Sequence, residues 1–270
     1  MNSILNGLRL YCRYVSISIR SQMEYKASFL MFAVGQFFLT LIDFVGVWAL
    51  FDRFGSLQGW RLAEVALFYG VVNVAFALAE AFARGFDTFE VLVRDGTFDR
   101  MLLRPRSTVL QVTAQELQLF RVGRLLQGLM VLVGGLSALQ VDLGFAQVAL
   151  LAASIFGGAC IFSGLFVLQA TLAIWTTSSL EVVNTVTYGG VETAQYPLSI
   201  YRPWFRSFFT FVIPLACINY LPLHAVLDRA DPLGSPTWLQ WAAPFLGVLF
   251  LAAALQFWRF GVRHYRSTGS

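Results

Sequence analysis

Long apolar segments alternate with short polar segments along the chain. A helix needs about 20 consecutive apolar residues to cross a bilayer, so this pattern predicts membrane-spanning helices. Five segments satisfy it: residues 27–51, 62–83, 122–141, 147–176 and 238–260. Before the first of them, residues 1–26 place apolar side chains at helical spacing, with arginines around the rest of the helix. This segment is predicted to be an amphipathic helix that lies in the membrane interface.

Residues 177–230 are apolar but contain polar residues and prolines, and they admit two interpretations. In the first, 179–199 is the fifth of six spans, and 201–228 is a proline-broken pair of helices that enters the membrane from outside and returns. In the second, 177–204 lies on the inner surface and 205–228 is the span. We prefer the first interpretation, because proline both starts helices well and interrupts them.

Composition argues against a soluble domain. Hydrophobic residues make up 57% of the chain and charged residues 13%, whereas roughly a quarter of a soluble domain is charged. The formal charge of +4 does not indicate a nucleic-acid partner, because the basic residues lie beside the spans. With the N-terminus inside, 14 of the 19 Lys and Arg face inward, in residues 1–26, 84–124 and 259–270. This bias selects six spans with both termini inside.

The residues of several common active sites are missing from the sequence. Lys26 is the only lysine and follows a tyrosine, whereas a P-loop needs a lysine directly after its last glycine to reach the phosphates. The two histidines, His224 and His264, lie in no metal-binding pattern, and no Gly-x-Ser-x-Gly elbow occurs. The sequence therefore predicts no catalytic residue, metal or cofactor in this chain, and it argues against an intramembrane enzyme.

A short element in the basic segment 84–121 is the clearest candidate for function. Gly96 permits a turn and Pro105 stops a helix, so a helix of about two turns fits between them. Asp95 or Thr97 is placed to cap its start. Its side chains form an apolar and a charged group: Phe98, Met101 and Leu102, and Asp99, Arg100 and Arg104. An apolar patch ringed by charges is typical of a docking element, and the alternative is a loop on lipid headgroups.

Polar residues recur at membrane depth in three predicted spans. Asp43 shares a helix face with Gln36 and Thr40 in the first span, and Asn73 shares one with Tyr69 in the second. The preferred fifth span carries four more such residues: Glu181, Asn184, Glu192 and Gln195. A charge at depth faces the bundle interior, a partner or water. These residues therefore either line a substrate path or subunit interface, or hold helices together.

Several motifs follow one another in a specific order. They are Gly96-Thr97-Phe98-Asp99-Arg100-Met101-Leu102-Leu103-Arg104-Pro105, Tyr196-Pro197-Leu198-Ser199-Ile200-Tyr201, Phe211-Val212-Ile213-Pro214, Asn219-Tyr220-Leu221-Pro222 and the ending Ser267-Thr268-Gly269-Ser270. With six spans and an amphipathic start, this order resembles the ABC-2-type permease subunits of ABC exporters. The first motif resembles the G-T-x-D-x-x-L-x-R-P segment of a little-characterised ABC-2 subfamily.

The resemblance implies roles for these residues. The helix within 94–104 would be a cytosolic coupling helix, seated in a cleft of a separate ATP-binding subunit that holds ATP and Mg²⁺. Its coupling residues would be Thr97, Phe98, Asp99, Arg100, Met101, Leu102 and Arg104. The first and fifth spans of two paired permeases would line the path, which makes Glu181, Asn184, Glu192 and Gln195 candidate pathway residues; Asp43 of the first span and Asn73 of the second join them as polar residues at membrane depth. Residues 201–228 would form an outer gate that includes Pro214, Asn219 and Pro222.

The sequence thus predicts an all-α polytopic membrane protein that forms one permease domain over residues 1–270. We expect it in the bacterial cytoplasmic (inner) membrane, as part of an ATP-driven exporter. The expected partners are ABC ATP-binding subunits, a second permease subunit and membrane lipid, with no nucleic acid. The alternative function is that of a gradient-driven secondary transporter or channel, which would work without an ATPase and depend on Asp43 or Glu181. The substrate cannot be read from the sequence.

Overall fold

The computed structural model describes residues 2–140, 143–176 and 180–265, and these are mostly helical. Within them we number twelve α-helices in chain order. They are α1 (Asn2–Glu24), α2 (Lys26–Phe54), α3 (Leu62–Asp87), α4 (Phe89–Arg94), α5 (Thr97–Leu102), α6 (Thr108–Thr113), α7 (Val122–Leu139), α8 (Phe145–Ala173), α9 (Leu180–Ala194), α10 (Pro203–Ser207), α11 (Tyr220–Val226) and α12 (Thr237–Arg263).

Five of these helices are long and apolar enough to cross a membrane. They are α2, α3, α7, α8 and α12, and the span that contains α3 continues through α4. They coincide with the five apolar segments predicted from the sequence. A sixth candidate is the bent pair formed by Pro203–Val212 and Leu215–Val226, in which the helix axis bends by 74° at the break. The chain is therefore a multi-pass membrane protein with five or six candidate spans.

We name the two ends of the bundle after residues at the two ends of α3: the Trp60 end and the Asp87 end. Helix α7 runs from the Asp87 end, where Arg124 bonds Glu80, towards the Trp60 end. Helix α8 runs the opposite way, because Gln169 near its end donates a hydrogen bond to Asp87. A hydrogen bond from Arg121 to Gln36 places the first part of α2 at the Asp87 end, and a ring contact between Phe86 and Trp258 places the end of α12 there. The start of α2 and the end of α12 therefore lie at the same end of the bundle.

Glycines let the central helices approach closely. A Cβ atom on Gly70 of α3 would lie 2.7 Å from the Cβ of Leu132 on α7. Gly157 of α8 and Gly247 of α12 face each other so closely that a Cβ on Gly247 would overlap the Gly157 carbonyl. Small residues at such crossings let helix backbones pack without lipid between them. Helices α3, α7, α8 and α12 thus form the packed centre of the molecule.

Helix α9 and the bent pair make up most of residues 180–226. Tyr188 of α9 bonds Arg84 near the Asp87 end, while Ser199, just beyond α9, accepts a hydrogen bond from Trp60. The segment 188–199 therefore lies alongside α3. The bent pair begins just after Ser199 and ends near His224, both of which contact Trp60, and between them Ile218 lies close to Gly158 of α8. Helix α9 has 15 residues and the bent pair is the sixth candidate span, so the choice between the two interpretations of residues 177–230 stays a prediction.

Helix α1 confirms the helix predicted at the N-terminus. It is fastened to the segment before α7 by Gln22, whose amide donates to the Leu117 carbonyl at 2.6 Å and accepts from the Leu119 N–H at 3.1 Å. The paired donor and acceptor of Gln22 thus satisfy two backbone groups of a segment that has few helical bonds of its own. As a result, α1 is held at the Asp87 end.

Candidate functional site

The predicted coupling element is a separate helix, α5, at the Asp87 end. It begins after Gly96, whose φ of 63° is a left-handed conformation that favours glycine. No side chain caps this start, so the prediction that Asp95 or Thr97 does so was wrong; Thr97 instead accepts a hydrogen bond from Arg100 at 3.0 Å. The helix ends at Leu102, before Pro105. Its last turn is held by Gln111, which donates to the carbonyls of Met101 and Arg106.

The apolar residues of α5 face into the protein. Phe98 is fully buried and Met101 is 3% exposed. The Phe98 ring lies 4.8 Å from that of Phe89, 5.1 Å from that of Tyr265 and 6.0 Å from that of Trp258. With Phe86, these residues form what we call the aromatic cluster. The expectation that Phe98 and Met101 present an apolar patch to a partner is therefore corrected: they anchor α5 to α4 and to the end of α12.

The outward surface of α5 consists of its last turn and the residues that follow. Leu103 is 86% exposed, and Leu102 is also exposed. Four exposed charged residues here are basic, namely Arg94, Arg100, Arg104 and Arg106, and one, Asp95, is acidic. Asp99 is only partly exposed, and Asp95 is shared with Arg94 at 3.8 Å. We call Arg100 and residues 102–106 the docking surface; it is apolar at its tip and positive at its rim.

Charged side chains at the Asp87 end form an ionic cluster of Glu80, Arg84, Asp87, Arg121 and Arg124. Glu80 is 1% exposed and lies 3.1 Å from both Arg121 and Arg124 of the α7 segment. Arg84 bonds Asp87 and donates to the Tyr188 hydroxyl, which in turn donates to Asp87 at 3.1 Å. These contacts join α3, α7 and α9. The buried carboxylates are tolerated because each is paired and hydrogen-bonded.

The predicted path residues fall into two groups. Asp43 of α2 and Glu192 of α9 are exposed at membrane depth, and Glu192 lies within electrostatic range of both Asp43 and Arg124. Asn184 is half-buried, and its amide oxygen has no hydrogen-bond partner among the described residues. By contrast, Asn73 and Gln195 are buried in the protein, so their assignment to an open path is corrected. The side chain of Glu181 lies outside the described residues, as does the ending 267–270.

The predicted gate residues lie in and beside the bent pair. Pro214 occupies the break between its two arms, and Pro222 is buried within α11. Asn219 is 1% exposed and donates to the Ala194 carbonyl at 2.6 Å and more weakly to that of Phe68. This amide therefore ties the bent pair to α9 and α3, which is a structural role that leaves the side chain unavailable to a ligand.

The loop after α11 closes the Trp60 end. Arg229 bonds Glu64 at 2.6 Å and lies 3.9 Å from the centre of the Trp60 ring. In the same loop, burial alone would raise the pKa of Asp231, but hydrogen bonds from Ser235, Tyr220 and the Leu233 N–H outweigh it and lower that pKa.

Comparison with known families decides the class of protein. A family model described as "ABC-2 family transporter protein" matches residues 37–269, which is most of the chain. The chain belongs to the ABC-2 family. It is thus an ABC transporter permease, the membrane component of a transporter, and the resemblance inferred from its motifs is confirmed. Searches of curated proteins and of solved structures gave no significant match.

Several contacts in this ABC-2 permease were missed by sequence reasoning. Trp258 lies near the end of the last predicted span, 238–260, and nothing in the sequence singles it out, yet it contacts Phe86, Phe89 and Phe98. Gln111 and the partners of Glu80 were also missed. A signal existed for the last of these, since Arg121 and Arg124 stand one helical turn apart at the start of an apolar span and would need a buried anion there.

Proposed function

We propose that this permease belongs to an ATP-driven exporter in the bacterial cytoplasmic membrane. Six crossings are proposed, with α9 as the fifth, and the Asp87 end faces the cytoplasm because the basic residues concentrate there. Separate ATP-binding subunits would hold ATP and Mg²⁺ and bind this end, and a second permease subunit would complete the path. The observation that carries the proposal is a preformed helix, α5, whose outward surface is exposed while its inner side is locked into the protein.

The docking surface is the proposed contact with the ATP-binding subunit. Leu103 would enter an apolar pocket, and Arg100, Arg104 and Arg106 would face an acidic rim, since burial provides affinity and charge provides orientation. Phe98 and Met101 then act behind this contact. Because the Phe98 ring packs on Phe89 and Trp258, a displacement of α5 would move α4 and the end of α12 together.

The proposed path lies along α2 and α9. Asp43 and Glu192 are exposed carboxylates at membrane depth, and a charge there needs water, a partner or another subunit in place of lipid. Arg124 lies within electrostatic range of Glu192, and Asn184, nearer the start of α9, adds an amide oxygen without a partner in the part of the chain that the structure describes. A second permease that faces α2 and α9 would enclose these groups in a polar path. The bent pair, held by Asn219, would cover its outer end.

Two substitutions, one that introduces a negative charge and one that reverses a positive charge, test the docking surface. In Leu103→Asp and Arg104→Glu, we expect co-purification of the co-expressed ATP-binding subunit and ATP-dependent transport to fall by at least about tenfold, because interface residues of this kind contribute about 1.4 kcal/mol or more. The unfolding temperature should not change, because both side chains are exposed. The control is Phe145→Asp, which places the same charge at a comparably exposed apolar residue at the opposite end.

Two results would contradict the proposal. One is undiminished co-purification of the ATP-binding subunit with Leu103→Asp and Arg104→Glu. The other is transport by the purified chain alone, driven by an ion gradient and indifferent to ATP, which would favour the gradient-driven alternative.

A further inference from the structure

A cavity of about 320 Å³ lies at the Trp60 end, between the bent pair and the start of α12. Most of its wall is apolar and includes Phe211, Ala216, Leu221 and Leu239. At one side stands the guanidinium-bearing side chain of Arg206, with hydroxyl groups next to it. Its size is at the lower end of the range for small-molecule sites, which hold apolar ligands oriented by a few polar groups.

Arg206 is a cation without a partner among the residues that the structure describes, since its side chain makes no ion pair or side-chain hydrogen bond there. Asp231 lines the same cavity, but its carboxylate already accepts hydrogen bonds from the Tyr220 hydroxyl at 2.5 Å and from the Leu233 and Ser235 N–H groups. The half-buried guanidinium therefore remains free to bind an anionic group that enters from outside the protein.

The surroundings of the cavity indicate where that group comes from. Phe211 is 84% exposed and forms part of the wall, and Trp204 and Trp238 are exposed on either side. Exposed aromatic residues of this kind concentrate where membrane headgroups meet acyl chains. The cavity thus joins an apolar interior and an unpaired cation at a level where lipid is the abundant amphiphile.

We propose that this cavity binds a phospholipid of the membrane leaflet at the Trp60 end, with its phosphate against Arg206 and part of one acyl chain between Phe211, Leu221 and Leu239. The lipid would fill the gap between the bent pair and α12 and so hold the proposed gate in place. The site is independent of the docking surface, because it lies at the opposite end of the bundle.

Native mass spectrometry of the full-length chain in detergent, titrated with phosphatidylglycerol, tests the site. We expect one saturable lipid per chain, with affinity reduced about tenfold by Arg206→Ala, since a hydrogen bond to a charged group contributes about 1.5 kcal/mol. The control Arg202→Ala removes an exposed arginine one turn earlier that does not line the cavity. Leu239→Trp should fill the cavity and abolish saturable binding, whereas Val248→Trp, on the exposed side of the same helix, should not.

Three results would overturn the proposal. The first is equal binding of phosphatidylglycerol by Arg206→Ala, Leu239→Trp and their controls. The second is equally tight binding of a diacylglycerol with the same chains, because the anion would then play no part. The third is displacement of the lipid by inorganic phosphate alone at similar concentration, because the acyl chain would then contribute nothing. Unfolding temperatures of all four variants establish that each has folded.

Discussion

Helices α2 and α3 are both long enough to span a membrane, and their most apolar stretches have the same mean hydropathy, yet one is mostly exposed and the other mostly buried. In the most apolar stretch of the α3 segment 83% of the residues are buried, compared with 17% in α2. Helix α3 stands between α7, α8 and α9, whereas α2 rests mainly against α7. Hydropathy therefore decides that a helix enters the membrane, but not whether protein or lipid surrounds it there.

Glycines and charges account for the difference between the two helices. Gly70 of α3 admits the backbone of α7, whereas Gly35 and Gly46 of α2 face open space. Glu80 of α3 is enclosed by arginines, whereas Asp43 of α2 is exposed and makes no ion pair with a described residue. A carboxylate on an exposed helix at this depth needs cover from water or a second subunit. Helix α2, which has fewer contacts within the subunit, is therefore the better candidate for contact with a second subunit.

The largest expected effect separates the carboxylates of the two helices. Glu80→Gln should lower the free energy of unfolding by about 3–5 kcal/mol, because it leaves Arg121 and Arg124 without their buried anion. Asp43→Asn should change it by less than about 0.5 kcal/mol, because the side chain is exposed. Denaturant unfolding of the purified chain in detergent measures both. Equal losses in the two variants would remove the distinction.

An intermediate effect is expected from the glycines. Gly70→Ala should destabilise the protein by about 1–3 kcal/mol, since the new methyl group would lie 2.7 Å from the Leu132 Cβ and 2.9 Å from its backbone nitrogen. Gly46→Ala should be neutral or stabilise by up to about 1 kcal/mol, because it meets no atom and alanine favours helix. Thermal unfolding compares the two, and a destabilised Gly46→Ala in the isolated chain would show that α2 is packed after all.

The smallest expected effect is a dependence of stability on pH, caused by Asp231 near the Trp60 end of α3. Since hydrogen bonds lower the pKa of Asp231, this group stabilises the fold above its unfolded pKa of about 3.9, and that contribution is lost as the pH falls through the lower, folded value. Its partner Tyr220 contacts Phe68 of α3. The unfolding temperature should therefore fall below about pH 4, and less steeply in Asp231→Asn. Asp52→Asn, an exposed carboxylate at the end of α2, should keep the steep dependence.

The sequence reveals the helices of this permease better than their neighbours. The five long spans were predictable because apolar length is a local property, and α5 was predictable because Gly96 and Pro105 bound it. The orientation of Phe98 was not, because a short amphipathic helix has an apolar side whether that side meets a partner or Trp258, some 160 residues later. Likewise, Asn73 and Asp43 look alike as polar residues in apolar runs, and only tertiary packing separates them.

The hydrogen bonds from Gln111 to the Met101 and Arg106 carbonyls have a consequence for assembly. They fix the backbone on both sides of Leu103 within the isolated subunit, so no segment there has to fold when a partner arrives. Rigidity of this kind spares an association the conformational entropy of ordering a loop, which otherwise costs about 1–2 kcal/mol per residue. We therefore expect the permease to mature first, with its contact ready-made, and the soluble subunits to join and leave it by rigid-body binding.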